Sequence, residues 1–171
     1  MNEIICDVYW DGPHKWEEKP PFKLGHVLCS LHGTHPLYGR DVLLYIGKTD
    51  VDMDTRLSQH AWWVEEELDV VTLKFASIRV FEGNDSIENW RRNDDERKPD
   101  VTCSKKAAPD IVREVEALLI YAHQPAFNTS GKVSLNVRRG LRIFNTGKLG
   151  LLHPELSWAY FDETPEPPTV D

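Results

Sequence analysis

The stretch LLYIGKTDVDMDTRLSQH, Leu43 to His60, decides how the chain is read. The apolar run VLLYIG is short and bounded by polar residues, which predicts a buried strand. It ends in Gly47 and Lys48. Beyond it, Met53, Leu57, Ala61, Val64 and Leu68 recur at helical spacing and predict a helix over Asp52–Leu68, capped by Asp52 or Asp54. At about 100° per residue, Arg56 and His60 stand one turn apart on one flank of that stripe, with Trp63 just beyond. A strand that only fills a core has no need of Gly-Lys-Thr at its end. A phosphate loop is not the explanation, because the full G-x-x-x-x-G-K-[ST] pattern is absent: Leu43 to Ile46 precede Gly47.

Outward from this stretch, FKLGHVLCSL, Phe22 to Leu31, predicts a strand, and HGTHPLYGRD, with Gly33, Pro36 and Gly39, predicts a loop. The two strands would form a long-looped hairpin. VVTLKFASIRVF, Val70 to Phe81, is rich in β-branched residues and predicts a third strand. A polar surface excursion follows. A second helix opens at Pro109 and Asp110, buries Ile111, Val115, Leu118, Leu119 and Ala122, and stops at Pro125. GLRIFNTG and LSWAYF suggest one or two further strands.

Length and composition bound the possibilities. The chain has 171 residues, 40% apolar and 28% charged, so one domain over 1–171 is expected. Within it, residues 22–130 form the core. Residues 1–21, with Pro13, Pro20 and Pro21, read as an irregular N-terminal arm. Residues 131–160 read as a basic extension, and the acidic, proline-rich 161–171 as a disordered tail. No window is apolar enough for a membrane span, and the start lacks the pattern of a signal peptide. Cys6, Cys29 and Cys103 are odd in number and form no CxxC pair. Reduced thiols and a cytoplasmic location, with no membrane partner, are expected.

A net charge of −8 excludes a protein that coats nucleic acid by bulk charge. Yet Thr129 to Gly150 holds five basic residues (Lys132, Arg138, Arg139, Arg142 and Lys148) and no acidic one. The stretch is either a patch that meets a phosphate backbone or a solvated loop.

On the second helix, Glu116 falls at the edge of the buried face. An arginine, a histidine, a tyrosine and a lone glutamate bordering one sheet suggest a phosphodiester site. Arginine grips phosphate oxygens in a planar fork, and one carboxylate suffices for a hydrated Mg²⁺. Each residue also has a plainer reading: Arg56 and His60 as a solvated face, Glu116 as an exposed helix residue, Tyr45 as core.

The ordered set YIGKT…R…H followed by EALLIYAHQPAFN resembles the GIY-YIG nuclease superfamily. Tyr45-Ile46-Gly47 matches the second half-motif, and Arg56 and His60 match the helix arginine and histidine. Glu116 matches the metal-binding glutamate of E-x-x-L-I-x-x-x-x-P-x-[YF]-N, through Leu119, Ile120, Pro125, Phe127 and Asn128. The likeness runs from about Gly25 to Asn128 and is closest to the branch with bacterial type II restriction endonucleases. In the first half-motif Gly25-His26-Val27 aligns with GIY, which puts valine at the first tyrosine. An alternative alignment on Gly33-Thr34-His35 would supply His35 there, but Pro36 suits a mid-strand position poorly.

The resemblance implies an α/β (α+β) fold: a small central antiparallel three-stranded sheet flanked by helices, here with extra C-terminal strands. It also implies a metal-dependent DNA endonuclease that hydrolyses phosphodiester bonds with one divalent cation, Mg²⁺ or Mn²⁺. Glu116 would hold the metal. Tyr45 would orient or activate water, assisted by Lys48 or His60. Arg56 would stabilise phosphate charge, Asn128 would brace the site, and Gly47 is the motif glycine. No separate DNA-binding domain is visible. Lys48, Arg91, Arg92, Lys98, Lys132, Arg138, Arg139 and Arg142 are therefore the candidate DNA contacts. Val27 motivates the alternative, a catalytically impaired DNA-binding or interaction module of the same fold. Trp62 and Trp63 carry a weaker third reading, a protein-interaction surface.

Overall fold

A computed structural model describes residues 3–18, 26–48, 58, 64, 70–83, 86–92 and 107–162. Six strands, β1 (Ile4–Lys15), β2 (Leu28–His35), β3 (Gly39–Lys48), β4 (Thr72–Glu82), β5 (Leu141–Gly147) and β6 (Glu155–Ser157), form one sheet in the order β3-β2-β4-β1-β5-β6. The sheet is mixed: β1 and β5 run parallel, and the other pairings are antiparallel. It curls into a half-barrel. The α-helices described along their length are α1 (Ser86–Arg92) and α2 (Pro109–His123). No helix of the described residues is long and apolar enough to cross a membrane.

This corrects the expected three-stranded sheet flanked by helices. β2, β3 and β4 are contiguous and antiparallel, but they make only half of the sheet. The segment expected to be an irregular arm is β1, a central strand of 12 residues between β4 and β5. Ile5, Cys6, Asp7, Val8 and Trp10 on it are buried. Pro13 is accommodated because the β1–β4 register shifts between Asp11 and His14, where a bulge spares the ladder a missing N–H. The C-terminal strands are likewise no appendage, since β5 pairs with β1 along seven residues. The hairpin is also tighter than expected: β2 and β3 run into what was read as a loop, leaving Pro36-Leu37-Tyr38 as the turn. In the expected surface excursion, α1 stacks Trp90 on Phe144 at 3.8 Å between ring centres.

Strand alternation divides the core between two faces. On one, Cys6, Val8, Trp10, Leu28, Ile46, Ala76, Ile78 and Ile143 pack with α2. On the other, Cys29, Leu31, Tyr45, Val64, Val71, Leu73 and Phe75 cluster together. α2 starts at Pro109 and ends at Gln124, whose φ of 50° breaks the helix and returns its N–H to Ile120 O. It buries Ile111, Val112, Val115, Leu118, Leu119 and Ile120. At roughly 1.5–3 kcal/mol per large apolar side chain, this packing outweighs any single polar contact the helix makes. The position of Glu116 therefore follows from the apolar stripe.

Candidate active site

β3 is an edge strand, and its outward N–H and C=O groups need partners. Residues distant in sequence supply them, Ala126 N–H among them, which donates to Leu43 O at 3.3 Å. Phe127 N–H donates to Leu44 O at 2.7 Å. Asn128 makes a two-sided bond with Ile46: the Ile46 N–H donates to Oδ1 at 2.9 Å, and Nδ2 donates to the Ile46 carbonyl at 2.8 Å. The Lys48 N–H donates to Glu116 Oε1 at 2.8 Å. The Pro125–Asn128 segment after α2 thus acts as a short seventh strand, with the Asn128 amide in place of a peptide. Glu116 continues the same edge.

Tyr45 is buried on the opposite face of β3 from α2. Its ring leans along the strand over Gly47. A Cβ at Gly47 would lie 2.7 Å from Cζ of that ring and closer still to the hydroxyl oxygen. Tyr45 and Gly47 share a face, so the glycine is what lets the phenol lie flat and point toward the Lys48 end. Chain geometry then holds the Tyr45 hydroxyl oxygen and Glu116 Oε1 within roughly 9 Å of each other. Glu116 is half-buried, as is Lys48.

Tyr45, Gly47, Lys48, Glu116 and Asn128 therefore meet along one strand. Arg56, His60, Trp62, Trp63 and Lys98 lie outside the described residues. Of the helix expected over Asp52–Leu68, Ser58 and Val64 are described, both helical. Val27 is half-buried against the α2-face core, and its N–H donates to Ala76 O at 2.8 Å. His35 stands at the other end of the hairpin, stacked on Tyr38 at 4.7 Å.

The candidate DNA-binding arginines are distributed differently from the expected patch. Arg138 forks onto Glu114 at 2.8 Å and reaches Asp110 at 2.6 Å. Arg142 binds Glu155 at 2.7 Å and Glu3 at 3.2 Å, and lies 5.0 Å over the Phe144 ring. The acidic partners come from α2, β6 and Glu3 just before β1, which is why the local sequence looked unbalanced. Arg139 sits 5.5 Å over the Trp158 ring. Lys132 Nζ donates to Ala126 O at 3.4 Å, beside the Asn128 brace. Arg91 is exposed and 3.8 Å from Glu88. Arg92 ends α1, and its side chain is outside the described set.

Sequence reading overlooked a buried polar group on the α2 face: Ser30, His32 and Lys74. The available signal was Lys74 itself, a lysine sharing a strand face with Ala76 and Ile78 in an otherwise apolar pattern. No group of three or more His, Cys, Asp or Glu side chains able to hold a metal occurs among the described residues.

Fold and site together define a mostly β protein whose curled, mixed six-stranded sheet presents a tyrosine, a lysine and a helix-borne carboxylate at one end of an edge strand. No family model, no curated protein and no solved structure matches the chain.

Proposed function

We propose that the protein is a metal-dependent DNA endonuclease that hydrolyses phosphodiester bonds with one divalent cation, Mg²⁺ or Mn²⁺. The observation that carries this reading is the contact between Glu116 and Lys48 N–H, which brings the glutamate of the second motif to the end of the Tyr45-Ile46-Gly47 strand. The two halves of the resemblance are 68 residues apart in sequence and adjacent in space.

The donor set fits a hard cation. Glu116 offers a half-buried carboxylate oriented by a backbone N–H, and one such ligand is enough for an ion that keeps most of its water. When bound, the ion supplies charge neutralisation at the scissile phosphate. The other roles belong to the chain. Tyr45 orients the attacking water with its hydroxyl, while Gly47 lets the ring lie in place. Lys48 adds positive charge beside the phosphate. Asn128 braces β3 through both backbone groups of Ile46. Arg56 grips the phosphate and His60 assists the proton transfer, as their match to the motif implies.

A specific observation favours a second reading, a DNA-binding or interaction module of impaired catalysis. Val27, at the first tyrosine position, packs into the core and carries no hydroxyl. Incubating supercoiled plasmid with the purified chain and Mg²⁺ or Mn²⁺ tests both readings. Nicking that EDTA stops supports the endonuclease. Salt-sensitive binding without cleavage, with cleavage gained in Val27→Tyr, supports the second reading. Absence of both binding and cleavage at low salt refutes the two together.

A further inference from the structure

Lys74 lies in the middle of β4, facing α2, and is only 6% exposed. Across the sheet it pairs with Ser30 of β2, two residues from His32. Ser30 Oγ is 3.1 Å from His32 Nε2, and both residues are buried. Among the described residues the Lys74 ammonium has neither a hydrogen-bond acceptor nor an ion pair. Asp41, the acidic side chain that acts on it, does so only through space. Burial, and secondarily the Lys74 charge, pushes His32 down to about 4, so the imidazole is neutral at physiological pH. Burial likewise lowers Lys74 from its ordinary value.

An ammonium on so deeply buried a side chain loses much of its hydration, which is costly without an anion beside it. The end of its side chain lies near the surface. Nζ abuts the Cα of Gly150, where an added Cβ would collide with it. Gly150 is exposed, on the loop that also carries the exposed Lys148. The ammonium thus reaches the underside of a surface loop rather than ending in the apolar core. Beside it stand the Ser30 hydroxyl and the uncharged His32 ring, with the Asp41 carboxylate acting on it only through space.

We infer that Lys74, with Ser30 and His32 beneath the Lys148–Gly150 loop, forms a binding site for a phosphate-class oxyanion. The inference uses none of the residues of the endonuclease reading and stands whether or not that reading does. The anion is either free phosphate or a phosphate group of a nucleic-acid backbone. Both present the same tetrahedral oxygens to an ammonium and a hydroxyl.

The test is thermal unfolding of the full chain in inorganic phosphate against chloride of equal ionic strength. Wild type should gain about 3 °C or more at saturating phosphate. Lys74→Met, which removes the uncompensated charge, should melt higher than wild type without phosphate and lose the phosphate-dependent gain. No phosphate-specific gain in wild type, or an equal gain in Lys74→Met, overturns the site. A measurement needing no variant runs beside it. In ¹H–¹⁵N spectra of wild type, the Gly150 amide should be among the most phosphate-perturbed signals, and an unmoved Gly150 amide also overturns the site. A short single-stranded oligonucleotide then identifies the source. Displacement of phosphate from Gly150 marks a backbone phosphate, and binding of phosphate alone marks the free anion.

Discussion

Asn128 replaces a strand: its one side-chain amide satisfies both the N–H and the C=O of Ile46, at 2.9 and 2.8 Å. The segment after α2 is thereby tied to β3 near its C-terminal end, and Glu116, on α2 itself, is held at the same strand's end. Removing the amide should loosen the whole edge.

Asn128→Ala leaves two buried backbone groups unsatisfied and should cost roughly 2–4 kcal/mol. Asn128→Asp should cost more at neutral pH, because a carboxylate would face the Ile46 carbonyl. Urea unfolding monitored by tryptophan fluorescence measures both. A loss under about 0.5 kcal/mol for Asn128→Ala would mean that the contact is dispensable.

Gly47→Ala forces a methyl into the Tyr45 ring and should destabilise by roughly 1–3 kcal/mol. The same change made in a Tyr45→Ala background should cost at least about 1 kcal/mol less. Additive costs in that double-mutant cycle would show that the ring does not lie over the glycine.

The Arg138–Glu114 pair predicts an acid limb. Burial alone would raise Glu114, but the hydrogen bonds and charge of Arg138 outweigh it and hold the carboxyl below its ordinary 4.5. A carboxyl depressed in the folded state contributes stability above that ordinary value, and the contribution is lost as pH falls through the lower folded-state value. Arg138→Gln should therefore be less stable at pH 7 by on the order of 1 kcal/mol, and the gap should close in acid. If Arg138 serves mainly as a DNA contact, the substitution should instead leave stability unchanged and weaken DNA binding.

Cys6 is fully buried, and burial pushes its thiol up to about 12, despite the opposing charge of Arg138. The thiolate is the reactive form. Iodoacetamide at pH 8 should spare Cys6 in the native chain and label it only after unfolding, as peptide mass mapping would show. Rapid native labelling of Cys6 would contradict the placement of β1.

The parts of this fold that are legible in sequence are those with one dominant period. α2 announces itself through Pro109, its apolar stripe and Pro125, and its observed span is Pro109–His123. The runs around Tyr45 and Phe75 read as strands for the same reason. β1 was missed because Pro13 and the turn residues beside it signal irregular chain, and only a bulge in the finished sheet makes them compatible with a strand. The parallel β1–β5 pairing joins the two ends of the chain, a relation that local pattern does not carry.

The site was legible to a different degree. Residue types singled out Tyr45, Lys48 and Glu116, the resemblance added Asn128, and these share one strand edge. The basic stretch misled, because Glu3, Asp110, Glu114 and Glu155, which engage Arg138 and Arg142, are remote in sequence. Burial of a charge is likewise a property of the assembled sheet, so Lys74 emerged only with it.

The most direct measurement is metal-dependent plasmid cleavage by Glu116→Gln beside wild type, with both folded states checked by circular dichroism. Glutamine keeps an oxygen for the Lys48 N–H but removes the anionic ligand. The account predicts a variant that folds as wild type does and cleaves at least about 100-fold more slowly with Mg²⁺ or Mn²⁺. Cleavage by Glu116→Gln at the wild-type rate, or a wild-type chain with no metal-dependent cleavage at all, would contradict it.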